Sequence, residues 1–213
     1  MLPATKSQPK EMLPVARKPI VQYVAEELVA NQFSEILFIT GRSKSSIENH
    51  FDRDPDLVRT LSETNKTGLL RDLEQCNLAA RIYYTRQSEQ KGLGHAILCG
   101  ESFAGEQPFA VALGDSILGM HGNSSTLKHM AEAFEAHRAT CVVAVEEVPL
   151  AEVSHYGIVE PAEGDGELFR VRRMVEKPKP EEAPSRMAIA ARYVFSPIIF
   201  DMLRRVEIGR AHV

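Results

Sequence analysis

A chain of 213 residues, 44% hydrophobic and 25% charged, is long enough for one good-sized core, and its net charge of −4 gives no basic surface on which to argue nucleic-acid binding. Three cysteines, Cys76, Cys99 and Cys141, are odd in number, far apart and without a CxxC spacing, which argues against a disulfide framework or a zinc site and fits a reducing cytoplasm. Apolar runs such as "TCVVAV" fall far short of the roughly 20 residues that span a bilayer, and the N-terminus lacks the charged and apolar blocks of a signal peptide.

The opening stretch "MLPATKSQPKEMLP" reads as a stiff, proline-rich loop that presents Lys6 and Lys10. "KPIVQYVAEELVANQ" predicts a helix with Pro19 in its first turn and Ile20, Val21, Val24, Leu28 and Val29 on one face. "EILFIT" (35–40) is an apolar run closing at Gly41 and predicts a buried strand. "SKSSIENHF" predicts a short helix with a serine cap, and residues 54–76 a polar helical stretch broken near Gly68. "ARIYYTRQ" is rich in β-formers; "GLGHAILCGESF" predicts a loop turning into a helix, and "FAVALGDS" a second buried strand. "TLKHMAEAFEAHR" is an amphipathic helix and "TCVVAVEEV" a strand. "YGIVEPAEGDGELFRVRRMVEKP" predicts a hairpin around a Gly/Asp turn, "MAIAARYVFS" a further strand, and "PIIFDMLRRV" a helix starting at Pro197. The alternation of strand and helix over the first two-thirds predicts an α/β fold with a mainly parallel sheet, to which the last third adds antiparallel strands. In such sheets ligands lie at the loops beyond the carboxyl ends of strands, here the loops after residues 40, 87, 115 and 178.

Those loops carry the candidates for chemistry. Asp115 follows an apolar strand and a glycine, where a carboxylate can hold Mg²⁺ or, equally, cap the next element. Gln87 ends a strand with an amide suited to a nucleobase edge. Gly92 and Gly94 bracket Leu93 before a helix, as a tight turn or as bare amides open to a base or phosphate. Glu176 and Lys177 end an extended run before Pro178 and form either a ligand clamp or a surface ion pair. His50, His95, His121, His129, His137 and His155 show neither metal spacing nor a triad partner and are read as solvated or packing residues.

Taken in order, "MLPATKSQPKEMLPVARKPIVQYVAEEL", "SIENHFD", "RQSEQKGLGHAIL", "ALGDSIL", "HYGIVEP", "MVEKPKPEEAPS" and "AIAARYVFSPIIF" closely resemble the bacterial UTP–glucose-1-phosphate uridylyltransferases, of the sugar-nucleotide pyrophosphorylase family, from residue 1 to about 206. The resemblance implies a Rossmann-like α/β/α nucleotidyltransferase core with an added antiparallel, β-rich sugar-binding part. It implies a cytoplasmic, homo-oligomeric enzyme that converts UTP and glucose 1-phosphate to UDP-glucose and pyrophosphate with Mg²⁺. Carried over by position, Lys10 is the catalytic lysine, Glu11 a nucleotide-pocket residue, Gln87 and Gly92 the uracil contacts, and Asp115 the Mg²⁺ ligand. Gly157, Glu176 and Lys177 fall on the sugar and sugar-phosphate side.

The departures from that family shape the remaining expectations. The family's first strand and its glycine-rich phosphate loop precede "MLPATK", and a C-terminal segment with a second metal-binding aspartate follows the matching region. Residues 1–206 are therefore expected to be a partial nucleotidyltransferase domain with little or no turnover of its own, and 207–213, "EIGRAHV", a non-native tail. Ser116 replaces a frequent acidic residue, and Ala191 a frequent glycine that would leave more room in the sugar pocket. Thymidylyl transfer and a non-catalytic sugar-nucleotide binding module are the rival readings. A third possibility is that the 213 residues do not fold stably, since a missing strand would open hydrophobic surface.

Overall fold

The structure, a computed structural model, describes residues 3–74, 78–119, 124–162 and 166–206; Cys76, His121, the middle of the Gly/Asp turn and the tail at 207–213 lie outside the described residues. The described residues fall into two compact units, one drawn from 1–109, 113–125 and 195–213, the other from 110–112 and 126–194.

In the first unit the proline-rich opening forms two short 3-10 turns, Ala4–Lys6 and Lys10–Met12, and then a small antiparallel hairpin of β1 (Pro14–Val15) and β2 (Lys18–Pro19). Pro9 is held extended at φ −62°, ψ 146°, so it stops one turn and starts the next. The hairpin is tied down by α1 (Ile20–Ala30): the Tyr23 hydroxyl donates to the Val15 carbonyl at 2.9 Å, and the Ile20 amide donates to the Leu13 carbonyl at 3.1 Å. Val21, Val24 and Ala25 bury the inner face of α1. The apolar run at 35–40 is strand β3 (Glu35–Thr40), which pairs in parallel with β4 (Arg81–Arg86) from Glu35↔Arg81 to Thr40↔Arg86.

Two boundaries differ from the sequence expectation. Helix α2 (Ser45–Phe51) has Lys44, not a serine, at its cap, without a side-chain bond. The reason is the turn that leaves β3: the Lys44 amide donates to the Gly41 carbonyl at 3.1 Å, so Lys44 occupies the helix entrance and both serines fall inside. Helices α3 (Pro55–Glu63) and α4 (Thr67–Glu74) part at Asn65, whose φ is +53°, rather than at Gly68, which lies within α4. Asparagine is among the few side chains that enter the left-handed region readily. The unit is completed by α5 (Leu93–Cys99), α6 (Glu101–Ala104) and α8 (Ile198–Arg205). A Cβ at Gly94 would lie 2.9 Å from Leu203 Cδ2, so the absent side chain is what lets α5 and α8 approach.

The second unit holds β5 (Phe109–Ala112), α7 (Thr126–Ala136), β6 (Cys141–Glu147), β7 (Gly157–Pro161), β8 (Val171–Glu176) and β9 (Met187–Phe195). They form a five-stranded sheet in the order β5-β9-β7-β8, with β6 also paired to β9; β7 runs antiparallel to both β8 and β9. β9 is buried along most of its length, as its nearly unbroken apolar sequence requires of a central strand. Leu127, Met130 and Phe134 of α7 are buried, and Val148, Val153, Ile158 and Ala188 form a compact core. The parallel pair of the first unit and the antiparallel strands of the second together make the mixed α/β architecture expected.

Candidate active site

The first unit contains a cleft of about 380 Å³ between the opening turns and the loop after β3, lined by Lys6, Gln8, Lys10, Glu11, Ser43 and Lys44 among others. The Lys10 ammonium forms a salt bridge with the carboxylate of Asp115, which sits in the turn after β5. That contact raises the Lys10 pKa above its ordinary 10.5: the hydrogen bond that the ammonium donates to Asp115 outweighs the opposing effect of burial, and the negative charges of Asp115 and Glu11 add to it. The lysine is a fixed cation at any pH a cell experiences.

Glu11, beside Lys10 in the same turn, is buried to 7% exposure although it is a glutamate. Its Oε1 accepts from Lys44 Nζ at 2.7 Å. Its Oε2 has no hydrogen-bond partner among the described residues. Gly114 underlies the arrangement, because a Cβ there would stand 3.4 Å from Glu11 Cγ and 3.5 Å from Val21 Cγ2. The glycine before Asp115 thus gives Glu11 its room.

At the end of β4, Gln87 is anchored by its backbone amide to the Thr40 carbonyl at 2.9 Å. Its Nε2 donates to the Gly92 carbonyl at 3.1 Å and to His95 Nδ1 at 2.9 Å. Gly92 caps α5 at φ +86°, a conformation that favours glycine. With both amide protons engaged, Gln87 keeps Oε1 as an acceptor. His95, read from sequence as a solvated or packing residue, is therefore the orienting partner of a candidate base reader.

The second unit gathers the other candidates. Gly157 and Glu176 are directly paired across β7 and β8, and a Cβ on Gly157 would lie 3.2 Å from Glu176 Oε2 and 3.0 Å from Ile189 Cδ1. Lys177 Nζ lies 3.7 Å from Glu176 Oε1, with both side chains more than half exposed. Lys177 also has φ +45°, an uncommon backbone for a lysine, and its amide donates to the Tyr156 carbonyl at 3.0 Å. Tyr193 has its phenol pushed up from 10.0 by burial first, then by the charges of Glu176 and Cys141. Ala191 adopts φ +57°, so the alanine–glycine difference noted from sequence concerns the backbone as well as pocket volume.

The structure thus brings Lys10, Glu11 and Asp115 together in the first unit, joins Gln87 to Gly92 there, and joins Gly157, Glu176 and Lys177 in the second. Sequence reading missed Lys44, an ordinary lysine between serines, whose signal is the burial of its partner rather than any motif.

The Nucleotidyl transferase family matches residues 1–212 of the chain. The UTP–glucose-1-phosphate uridylyltransferase YngB of Bacillus subtilis is 46% identical over 208 residues, which cover 98% of this chain and 69% of that protein. A solved structure of a UTP-bound UGPase from Acinetobacter baumannii is similar at TM-score 0.88 and 36% identity, covering 98% of this chain and 74% of the other. A UDP-glucose pyrophosphorylase complexed with UDP-glucose is similar at TM-score 0.83 and 39% identity, over 97% of this chain and 75% of the other.

Proposed function

We propose, from the premise that this chain belongs to the nucleotidyl transferase family, that it carries uridylyl transfer from UTP to glucose 1-phosphate, giving UDP-glucose and pyrophosphate. The observation that carries the reading is the meeting of Lys10 and Asp115, a fixed cation that lines the cleft and a carboxylate brought against it from a distant segment. The similar proteins named for this activity, or solved with UTP or UDP-glucose, support the choice of substrates. We read residues 1–206 as one nucleotidyltransferase domain.

In this reaction the sugar phosphate's oxygen attacks the α-phosphorus of UTP and pyrophosphate leaves, so the protein's work is positioning and charge neutralisation rather than covalent chemistry. Lys10 faces the phosphates and offsets charge as it builds. Glu11 lines the nucleotide pocket. Gln87, its amide oriented by Gly92 and His95, offers Oε1 to the imide N–H of uracil. Glu176 and Lys177 hold the sugar and its phosphate, with Gly157 leaving space beneath.

Asp115 is the residue that would hold Mg²⁺. No cluster of three or more His, Cys, Asp or Glu suited to a metal occurs among the described residues. A single carboxylate fits Mg²⁺ nonetheless, because that ion commonly takes one or two carboxylates and draws its remaining ligands from phosphates and water. When bound, it neutralises phosphate charge. No helix among the described residues is long and apolar enough to cross a membrane.

The test is the purified protein with Mg²⁺, UTP and glucose 1-phosphate, followed by pyrophosphate release and chromatographic detection of UDP-glucose. Slow UDP-glucose formation, with UTP used in preference to dTTP, is the expected result. Preference for dTTP, or pyrophosphate release without UDP-glucose, would overturn it.

A further inference from the structure

We infer that Lys44 is a positioning residue for the transfer reaction: its ammonium clamps Glu11 and thereby holds the turn that aims Lys10 at the phosphates. The inference rests on the uridylyl-transfer reading for its substrates and on the geometry of the first unit for its mechanism.

Lys44 is well placed to act as an anchor. It follows the buried end of β3, where Thr40 is 2% exposed and donates through Oγ1 to Glu48 Oε1 of α2 at 2.7 Å. Its amide closes the turn to Gly41, and its carbonyl accepts from the Ile47 amide at 3.0 Å. The backbone of Lys44 is therefore fixed at both sides.

Its partner is the centre of the turn that carries Lys10. Glu11 sits between Lys10 and Met12; the Met12 amide donates to the Pro9 carbonyl at 3.0 Å and the Leu13 amide to the Lys10 carbonyl at 3.1 Å. A side chain held at Glu11 thus holds a three-residue turn with two internal bonds. The Lys44–Glu11 pair is shielded, with the side chains 31% and 10% exposed, unlike the open Lys177–Glu176 pair. Shielding matters because removing one member leaves a buried carboxylate uncompensated, whereas loss of an open pair is screened by water. Glu11 Oε2, already without a hydrogen-bond partner among the described residues, offers no second anchor. The turn would then move to hydrate the carboxylate, and Lys10 would move with it.

The experiment compares Lys44→Met, Glu11→Gln, Lys44→Arg and the double variant Lys44→Met/Glu11→Gln with the unsubstituted protein in two measurements. In turnover, Lys44→Met is expected to lower kcat by about 10- to 100-fold with KM for UTP within about threefold, since misplacement of a reacting group acts on kcat. Lys44→Arg restores most of the rate, and the double variant is no slower than the slower single one. In hydrogen exchange, the Met12 and Leu13 amides exchange at least about tenfold faster in Lys44→Met than in Lys44→Arg, while β3 amides are unchanged. Losses that add in the double variant would overturn the inference, assigning Lys44 to direct phosphate contact. Unchanged exchange at Met12 and Leu13 would overturn it as well. A protein that uses dTTP in preference to UTP sinks the substrate reading, and the exchange measurement then decides the role of Lys44 alone.

Discussion

Lys10 and Asp115 form a salt bridge in which the lysine side chain is half exposed and the aspartate about a quarter exposed. Each is thus accessible to a ligand and each offsets the other's charge. Lys10→Ala and Asp115→Ala are each expected to lower turnover at least ~10²-fold, the usual cost of losing a preorganised charge-stabilising group. Stability should change by less than about 1 kcal/mol, because the surviving charge remains in contact with water. Steady-state rates over a Mg²⁺ titration, with thermal melts alongside, check both. Near-normal rates in either variant would show that the pair is structural.

Gly157 offers a selective handle on the proposed sugar side. A Cβ there would press on Ile189 and on the Glu176 carboxylate. Gly157→Ala is expected to raise KM for glucose 1-phosphate by about tenfold while KM for UTP stays put, since displacing one contact group costs roughly 1–2 kcal/mol. Initial-rate kinetics with each substrate varied in turn gives the answer. Equal changes in both constants would count against the assignment.

Ala191 is buried at φ +57° in β9. Ala191→Gly removes the steric cost of that backbone, which exceeds the entropy that glycine adds to the unfolded chain. The expected gain is up to about 1 kcal/mol, or roughly 2–4 °C in Tm for a chain of this size. Calorimetry of the two proteins measures it directly, and a lower Tm for the glycine variant contradicts the argument.

His50 couples stability to pH. Its Nε2–H donates to Gln22 Oε1 at 3.0 Å, and Gln22 in turn donates to Glu26 at 2.9 Å. Burial lowers the His50 pKa from 6.5. Between the folded and unfolded values the unfolded chain binds a proton that the folded one refuses. The contribution of His50 is therefore complete above pH 6.5 and is lost as the pH falls through the depressed folded value. Urea midpoints should drop from about pH 7.5 to about pH 5, and His50→Gln should flatten part of that drop. An identical slope in the variant would exclude His50 as its source.

Much of the fold could be read before the structure because its strands are strongly patterned. "EILFIT" became β3 residue for residue, and the hairpin expected around the Gly/Asp turn is the β7–β8 pair. The misreadings came where tertiary turns decide the local outcome, as at Lys44, placed at a helix entrance by its bond to Gly41, and at Asn65, which took the break assigned to Gly68. The candidate site was named from the sequence as separate residues but not as contacts. Nothing local in "PKEML" or "ALGDS" states that Lys10 and Asp115 touch, since that contact is made by packing across the first unit. Lys44 and His95 escaped notice for the same reason: each acts on a neighbour, Glu11 or Gln87, and shows its role only once that neighbour's surroundings are seen.

The backbone at Lys177 carries a warning for engineering. Two side chains in the second unit's sheet region share the left-handed conformation, Ala191 at φ +57° and Lys177 at φ +45°. A stability screen working from backbone angles alone would recommend glycine at both. At 191 that advice is sound. At 177 it would relax the same strain and delete the ammonium beside Glu176, yielding a sturdier protein with half of its proposed sugar-phosphate clamp missing.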